Sequence, residues 1–117
     1  MLQHVSLEVP PDQVERTIEF WGLLGFEPAE PPEPISPFVT WLQRDGTQIH
    51  LLHNEAATVP QLGHAAVVAE DFDAAVQRLR DAGFEVEDAQ ELWGASRAFA
   101  IAPAGHRVEL MASPPTG

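Results

Sequence analysis

The feature that most constrains this sequence is an internal repeat with a period of about 60 residues. Three pairs of segments match in the same order at a nearly constant offset: HVSLEV (4–9) with HAAVVA (64–69), LLGFEP (23–28) with RDAGFEV (80–86), and RDGTQIHLL (44–52) with PAGHRVELM (103–111). This order and spacing indicate a duplication. We therefore predict two copies of one module, at 1–54 and 62–113, within a single domain spanning 1–117.

Each copy shows the same order of periodic patterns. Alternation over residues 3–9 predicts a half-buried strand, and an apolar stripe at helical spacing follows it. A short strand and a hairpin complete each copy, which gives the order βαβββ and the α+β class. We expect the two modules to form an open, eight-stranded cupped sheet. Residues typical of helix ends and turns recur in both copies. They are Asp12 and Asp71 or Asp73 as helix caps, Gly25 and Gly83 at helix ends, and Asp45-Gly46 and Ala104-Gly105 in hairpin turns.

One face of each predicted sheet is left without a helix. Strand parity places aliphatic side chains toward the helix and a mixed set on the opposite face. That set includes His4, Ser6, Glu8, Gln48, His50, His64, Arg107 and Glu109, interspersed with Leu52, Val68, Phe99 and Met111. A half-apolar face with several metal-competent groups is typical of a ligand cavity.

Composition excludes several classes of function. With 6 basic and 18 acidic residues, the chain carries a net charge of −12, so we expect no nucleic acid and no anionic membrane as partner. The chain has no cysteine, which excludes disulfides, thiolate catalysis and cysteine-ligated zinc. A signal peptide or membrane-spanning stretch is not evident, and we expect a cytoplasmic protein.

Four potential metal ligands occupy two equivalent positions of the repeat. His4 matches His64 near the start of the first strand, and His50 matches Glu109 in the last strand. If a pseudo-twofold axis relates the copies, these side chains converge on one site. Such a set suits Zn, Ni, Fe(II), Mn or Co, and the absence of thiolate favours a site with an open coordination position.

Over about residues 2–112 the chain resembles the vicinal oxygen chelate superfamily, which includes glyoxalases, bleomycin-resistance proteins and extradiol dioxygenases. The matching segments are HVSLEV, FWGLLGF, GTQIHL, GHAAVV and PAGHRVELM. The resemblance implies paired βαβββ modules around a divalent metal that chelates vicinal substrate oxygens. The family's metal positions fall on His4, His50, His64 and Glu109.

The resemblance implies a glyoxalase-like isomerase or lyase that acts on a small oxygenated metabolite through a metal-stabilised enediolate. Glyoxalase I usually has glutamate where His50 stands, so Glu109 is the carboxylate left to serve as base, unless a metal-bound water moves the proton. Trp93 and Phe99 fall where the family places cavity walls, although packing alone also explains them. Gln48 and Arg107 lie near the rim, where Arg107 either binds a substrate carboxylate or neutralises nearby acids.

Two other functions stay open. One is a protein that binds or sequesters a small molecule without catalysis, of the bleomycin-resistance type. The other is a two-module extradiol-type dioxygenase using His4, His64 and Glu109. We expect a homodimer, in which the modules pair within one chain or exchange between two. His53 and His106 are expected to face solvent.

Overall fold

The structure, a computed structural model, describes residues 1–115. Contacts divide the chain into two compact units, Met1–Val59 and Pro60–Gly117. Within the described residues, each unit consists of one four-stranded sheet and one α-helix in the order βαβββ. The α+β class and the element order predicted from the sequence are therefore confirmed.

The first unit has a mixed sheet with strand order β1-β4-β3-β2. Strand β1 is parallel to β4, and the other neighbours are antiparallel. Asp12 was predicted to cap the helix, but it lies in a 3₁₀ turn, Pro11–Gln13, and the helix begins two residues later. The elements are β1 (His4–Val9), α1 (Val14–Gly22), β2 (Glu27–Ala29), β3 (Val39–Arg44) and β4 (Thr47–His53).

The second unit repeats this topology with strand order β5-β8-β7-β6. Strand β5 is parallel to β8, and the remaining pairs are antiparallel. Asp71 occupies the predicted cap position, but its carboxylate accepts a hydrogen bond from Arg78 Nη1 (2.8 Å) and caps no backbone N–H. The elements are β5 (Ala65–Val68), α2 (Phe72–Asp81), β6 (Val86–Ala89), β7 (Arg97–Ile101) and β8 (Arg107–Met111).

The apolar core of each unit follows the predicted parity. Ile49 and Leu51 of β4 are buried, as are Val108 and Leu110 of β8. Trp21 on α1 is fully buried. Because successive side chains of a strand point to opposite faces, this burial fixes Gln48, His50 and Leu52 on the other face of β4. In the part of the chain that the structure describes, neither helix has the length and hydrophobicity to cross a lipid bilayer.

Asp45 and Gly46 form the tight turn predicted for the β3–β4 hairpin. Both have positive φ, 50° and 85°, as a two-residue type I′ turn requires. An added Cβ at Gly46 meets no atom within 4 Å, so a substitution there is opposed by backbone conformation alone.

We predict that Gly46→Ala lowers the free energy of unfolding by about 1–2 kcal/mol, measured by urea denaturation, because an L side chain is disfavoured at positive φ. Gly22→Ala is the matched control, since Gly22 is helical and its Cβ also meets open space. That variant should gain about 0.5–1 kcal/mol. Equal effects of the two substitutions would contradict the turn assignment.

Candidate functional site

The first predicted ligand pair comes together on adjacent parallel strands. The register pairs Ser6 of β1 with His50 of β4, which places His4 one pleat before His50 on the same face. The two imidazole rings stack with centroids 4.0 Å apart and an interplanar angle of 17°. His4 is exposed and His50 is buried, at 7% exposure.

His50 is held on its other side by Trp41, which the sequence reasoning missed. Trp41 pairs with His50 across β3 and β4, and the rings stack at 4.2 Å with an angle of 4°. His50 Nε2–H donates to Gln48 Oε1 (2.7 Å). Burial lowers the pKa of His50, and the nearby His4 lowers it further, so His50 is neutral at pH 7.

The stacked arrangement does not aim both imidazoles at one point. Imidazole lone pairs lie in the ring plane, so two nearly parallel rings direct them side by side. Chelation of one ion by both residues requires one ring to turn. His4 can turn, because it is exposed and, among residues 1–115, its side chain contacts Gln3 through one hydrogen bond (2.7 Å) and His50 through ring stacking.

The second predicted pair, His64 and Glu109, is in direct contact. His64 Nδ1–H donates to the carbonyl oxygen of Leu62 (2.9 Å), and Nε2 lies 3.0 Å from Glu109 Oε1. In neutral His64 this arrangement leaves a lone pair on Nε2 that faces a carboxylate oxygen. Two electron-rich atoms at this distance need a cation, either a proton or a metal ion. A backbone carbonyl that fixes the imidazole tautomer is also typical of histidine metal ligands.

Arg97 of β7 binds the other oxygen of Glu109 and was also missed. Arg97 Nε donates to Glu109 Oε2 (2.9 Å), and Nη1 donates to the carbonyl oxygen of Gln90 (2.6 Å). Burial raises the pKa of Glu109, but the hydrogen bond from Arg97, the hydrogen bond that protonated His64 donates, and the positive charge of Arg97 together outweigh burial. The net shift is downward, so Glu109 is an ionised carboxylate with one oxygen committed to Arg97.

The predicted substrate-binding residues of the second unit surround this network. Phe99 pairs with Glu109 across β7 and β8, and its ring meets His64 edge-on at 5.2 Å. Trp93 Nε1–H donates to the carbonyl oxygen of Ser113 (2.8 Å), and Arg97 lies over the Trp93 ring at 5.2 Å. Arg107 lies over the Phe99 ring at 4.3 Å.

The structure brings the four predicted ligands together as two pairs, one within each unit. In residues 1–115, no group of three or more His, Asp or Glu side chains is placed to hold a metal ion. The union of His4 and His50 with His64 and Glu109 in one ligand set therefore stays a prediction.

Two other histidines differ from expectation. His106 was expected to face solvent but is 4% exposed; it lies in the β7–β8 turn, where its carbonyl oxygen accepts a hydrogen bond from the Ala102 N–H (2.8 Å). His53 is half-buried and forms a hydrogen bond with Thr40 (2.8 Å).

The positions of Trp41 and Arg97, which were not predicted, are both related to that of Phe99, which was. Trp41 and Phe99 occupy equivalent positions, since each pairs with the central site residue of the last strand, His50 or Glu109. Arg97 lies two residues before Phe99, and this spacing places both on one strand face.

A family model described as the Glyoxalase/Bleomycin resistance protein/Dioxygenase superfamily matches residues 2–110. A glyoxalase family protein from Bacillus anthracis is 23% identical, with a TM-score of 0.83 over 95% of this chain and 93% of that one. A glyoxalase/dioxygenase from Nostoc punctiforme is 17% identical, with a TM-score of 0.78 over 97% and 91%.

Oxidase ChaP-H2 is 22% identical, with a TM-score of 0.76 over 100% of this chain and 96% of that one. At these identities the structural matches show a common fold. No curated protein matches the chain significantly.

We predict that Arg97→Met lowers the free energy of unfolding of the metal-free protein by about 3–5 kcal/mol at pH 7, because a buried carboxylate loses its partner. Both side chains are nearly buried, at 11% and 9% exposure. Arg16→Met, which breaks an exposed pair with Glu19, is the control and should cost less than about 1 kcal/mol.

The difference in free energy of unfolding between wild type and Arg97→Met should become smaller as the pH is lowered. The lowered pKa of Glu109 stabilises the folded wild type above the unfolded pKa of about 4.3, and this stability is lost as pH falls through the lower folded pKa. Without Arg97 the buried carboxylate instead gains from protonation. Urea titrations at pH 7 and pH 4.5 measure the gain of the variant, a further series at about pH 3 measures the loss in the wild type, and a constant difference would contradict the assignment.

Proposed function

The chain belongs to the Glyoxalase/Bleomycin resistance protein/Dioxygenase superfamily, and on that premise we propose that it is a divalent-metal-dependent enzyme of glyoxalase type. Its reaction is an isomerisation or lyase step on a small oxygenated metabolite, through an enediolate. The observation that carries this proposal is the geometry of His64 and Glu109. Their facing Nε2 and Oε1 atoms, 3.0 Å apart, form a donor pair that a cation would satisfy.

The proposed ligand set is His4, His50, His64 and Glu109, with the first pair completed by rotation of the exposed His4. Three imidazoles and one carboxylate suit Zn, Ni, Fe(II), Mn or Co. When bound, such an ion supplies Lewis acidity that polarises adjacent substrate oxygens and stabilises negative charge on them.

Glu109 is the proposed catalytic residue: one lone pair of Oε1 would face the ion, and the other would accept a proton from the substrate. Arg97 holds Oε2, so it limits the carboxylate to one reactive oxygen. The lowered pKa makes Glu109 a weak base, which suits a carbon acid already acidified by charge stabilisation.

Gln48, Trp93, Phe99 and Arg107 are the proposed substrate-binding residues, because they surround the two ligand pairs. Trp93 and Phe99 supply half-buried aromatic surface beside Glu109. The homodimer and the cytoplasmic location expected from the sequence stay predictions.

One observation favours each of the two alternative functions, small-molecule binding without catalysis and an extradiol-type dioxygenase. Without a bound ion to acidify the substrate, the lowered pKa of Glu109 suits binding without proton transfer, as in a sequestering protein of the bleomycin-resistance type. For the dioxygenase, similar folds occur in proteins described as an oxidase and as a glyoxalase/dioxygenase. His4, His64 and Glu109 would then supply two histidines and one carboxylate to Fe(II).

We predict that the purified protein binds one divalent ion per chain, measured by calorimetric titration with Zn²⁺, Ni²⁺ and Co²⁺. His4→Ala, His64→Ala and Glu109→Gln should each lower the affinity about tenfold or more, equivalent to about 1.4 kcal/mol. His53→Ala is the control, since this histidine of β4 lies on the opposite face.

The variants also separate the four-ligand set from a smaller one. If His64→Ala and Glu109→Gln lose the metal while His4→Ala and His50→Ala keep it, the second pair binds alone and the four-ligand set is wrong. If the wild type binds none of the three ions, the enzyme proposal fails.

A further inference from the structure

We propose that Arg107 binds an anionic group of the substrate, a carboxylate or a phosphate. This inference rests on the proposed function, because it names the class of compound that the same site accepts. Arg107 lies on β8, two residues before Glu109 and on the same face of the sheet.

Arg107 differs from the other arginines in its charge environment. Within residues 1–115 it makes no ion pair within 4.0 Å, although the chain has 18 acidic residues and 6 arginines. The sequence left two roles open for Arg107, neutralising nearby acids or binding a substrate anion. The first role requires an acidic partner, which Arg107 does not have among the described residues. The other five arginines all have one: Arg16 with Glu19, Arg44 with Asp45, Arg78 with Asp71, Arg80 with Asp88, and Arg97 with Glu109.

The position of the Arg107 side chain is set by an aromatic contact. Its guanidinium carbon lies 4.3 Å from the centroid of the Phe99 ring. A guanidinium over an aromatic ring uses its face for this contact and keeps its N–H donors at the edge, where they match the two oxygens of a carboxylate or phosphate. The contact thus orients the guanidinium without consuming a donor.

The positive charge of Arg107 is not neutralised by an ion pair with any carboxylate on its face of the sheet, within residues 1–115. Arg97 and Glu109 offset one another, since they form an ion pair at 2.9 Å. Glu85 and Glu87 share the face, since they lie opposite Ile101 and Phe99, but neither makes an ion pair with Arg107 in the described part of the chain. In a protein of net charge −12, local positive charge is what an anionic ligand requires.

The spacing along β8 limits the size of the compound. Residues two apart on a strand are about 7 Å apart, so an anion at Arg107 lies within a few bonds of an oxygen near Glu109. The class that fits is a small hydroxy or oxo acid, or a small phosphate ester with a free oxygen function.

The test compares charged probes with related neutral ones on metal-free, ¹⁵N-labelled full-length protein. One pair is 3-hydroxybutyrate and 3-hydroxybutyramide, and the other is glycerol 3-phosphate and glycerol. Dissociation constants come from NMR chemical-shift titrations of wild type, Arg107→Gln, Arg107→Lys and Arg16→Gln. The last variant matches the charge change of Arg107→Gln at an exposed position on α1.

We expect wild type and Arg16→Gln to prefer the charged member of at least one pair tenfold or more, and Arg107→Gln to prefer it less than twofold. Arg107→Lys should retain part of the preference, which separates loss of charge from loss of packing on Phe99. The probe pair for which the wild type prefers the charged member shows whether the anionic group is a carboxylate or a phosphate. No discrimination by wild type, or an unchanged preference in Arg107→Gln, would overturn the proposal. The probes are titrated without metal, so this test of Arg107 can be interpreted even if the protein binds no metal ion.

Discussion

Parallel pairing of the first and last strands is the constraint on which each unit depends. It joins β1 to β4 and β5 to β8, so His64 reaches Glu109 across 45 residues of sequence. Strand register then decides which face each side chain occupies. A slip of one residue would turn Glu109 toward the helix and Leu110 away from it, burying a charge and exposing an apolar group. Core packing and site assembly are therefore enforced by the same register.

The order of elements was predictable because it depends on local periodicity and on the repeat. The hairpin at Asp45 and Gly46 followed from turn chemistry, since few residue pairs tolerate two positive φ angles. Helix starts were less predictable. The aspartates near both helices satisfy the rule for a cap, yet neither side chain caps, because a 3₁₀ turn precedes α1 and Arg78 binds Asp71. Local backbone and side-chain contacts decided these helix starts.

The sequence selected four candidate side chains but not their contacts, which join His4 with His50 and His64 with Glu109. Equivalence within the repeat selected His4 with His64 and His50 with Glu109, but it does not specify rotamers or neighbours. Stacking of Trp41 on His50 and the ion pair of Arg97 with Glu109 depend on side-chain packing across strands. The burial of His106 similarly depends on how one turn folds back, which composition and parity do not encode.

The two hydrogen bonds of Arg97 also link a loop to a strand. One guanidinium joins the Gln90 carbonyl, beyond the end of β6, to the Glu109 carboxylate on β8. The backbone at Gln90 and the rotamer of Glu109 therefore do not fluctuate as independent degrees of freedom. Thermal displacement of either one strains the other, so their motions should be correlated and the amplitude of both restricted by a single shared anchor.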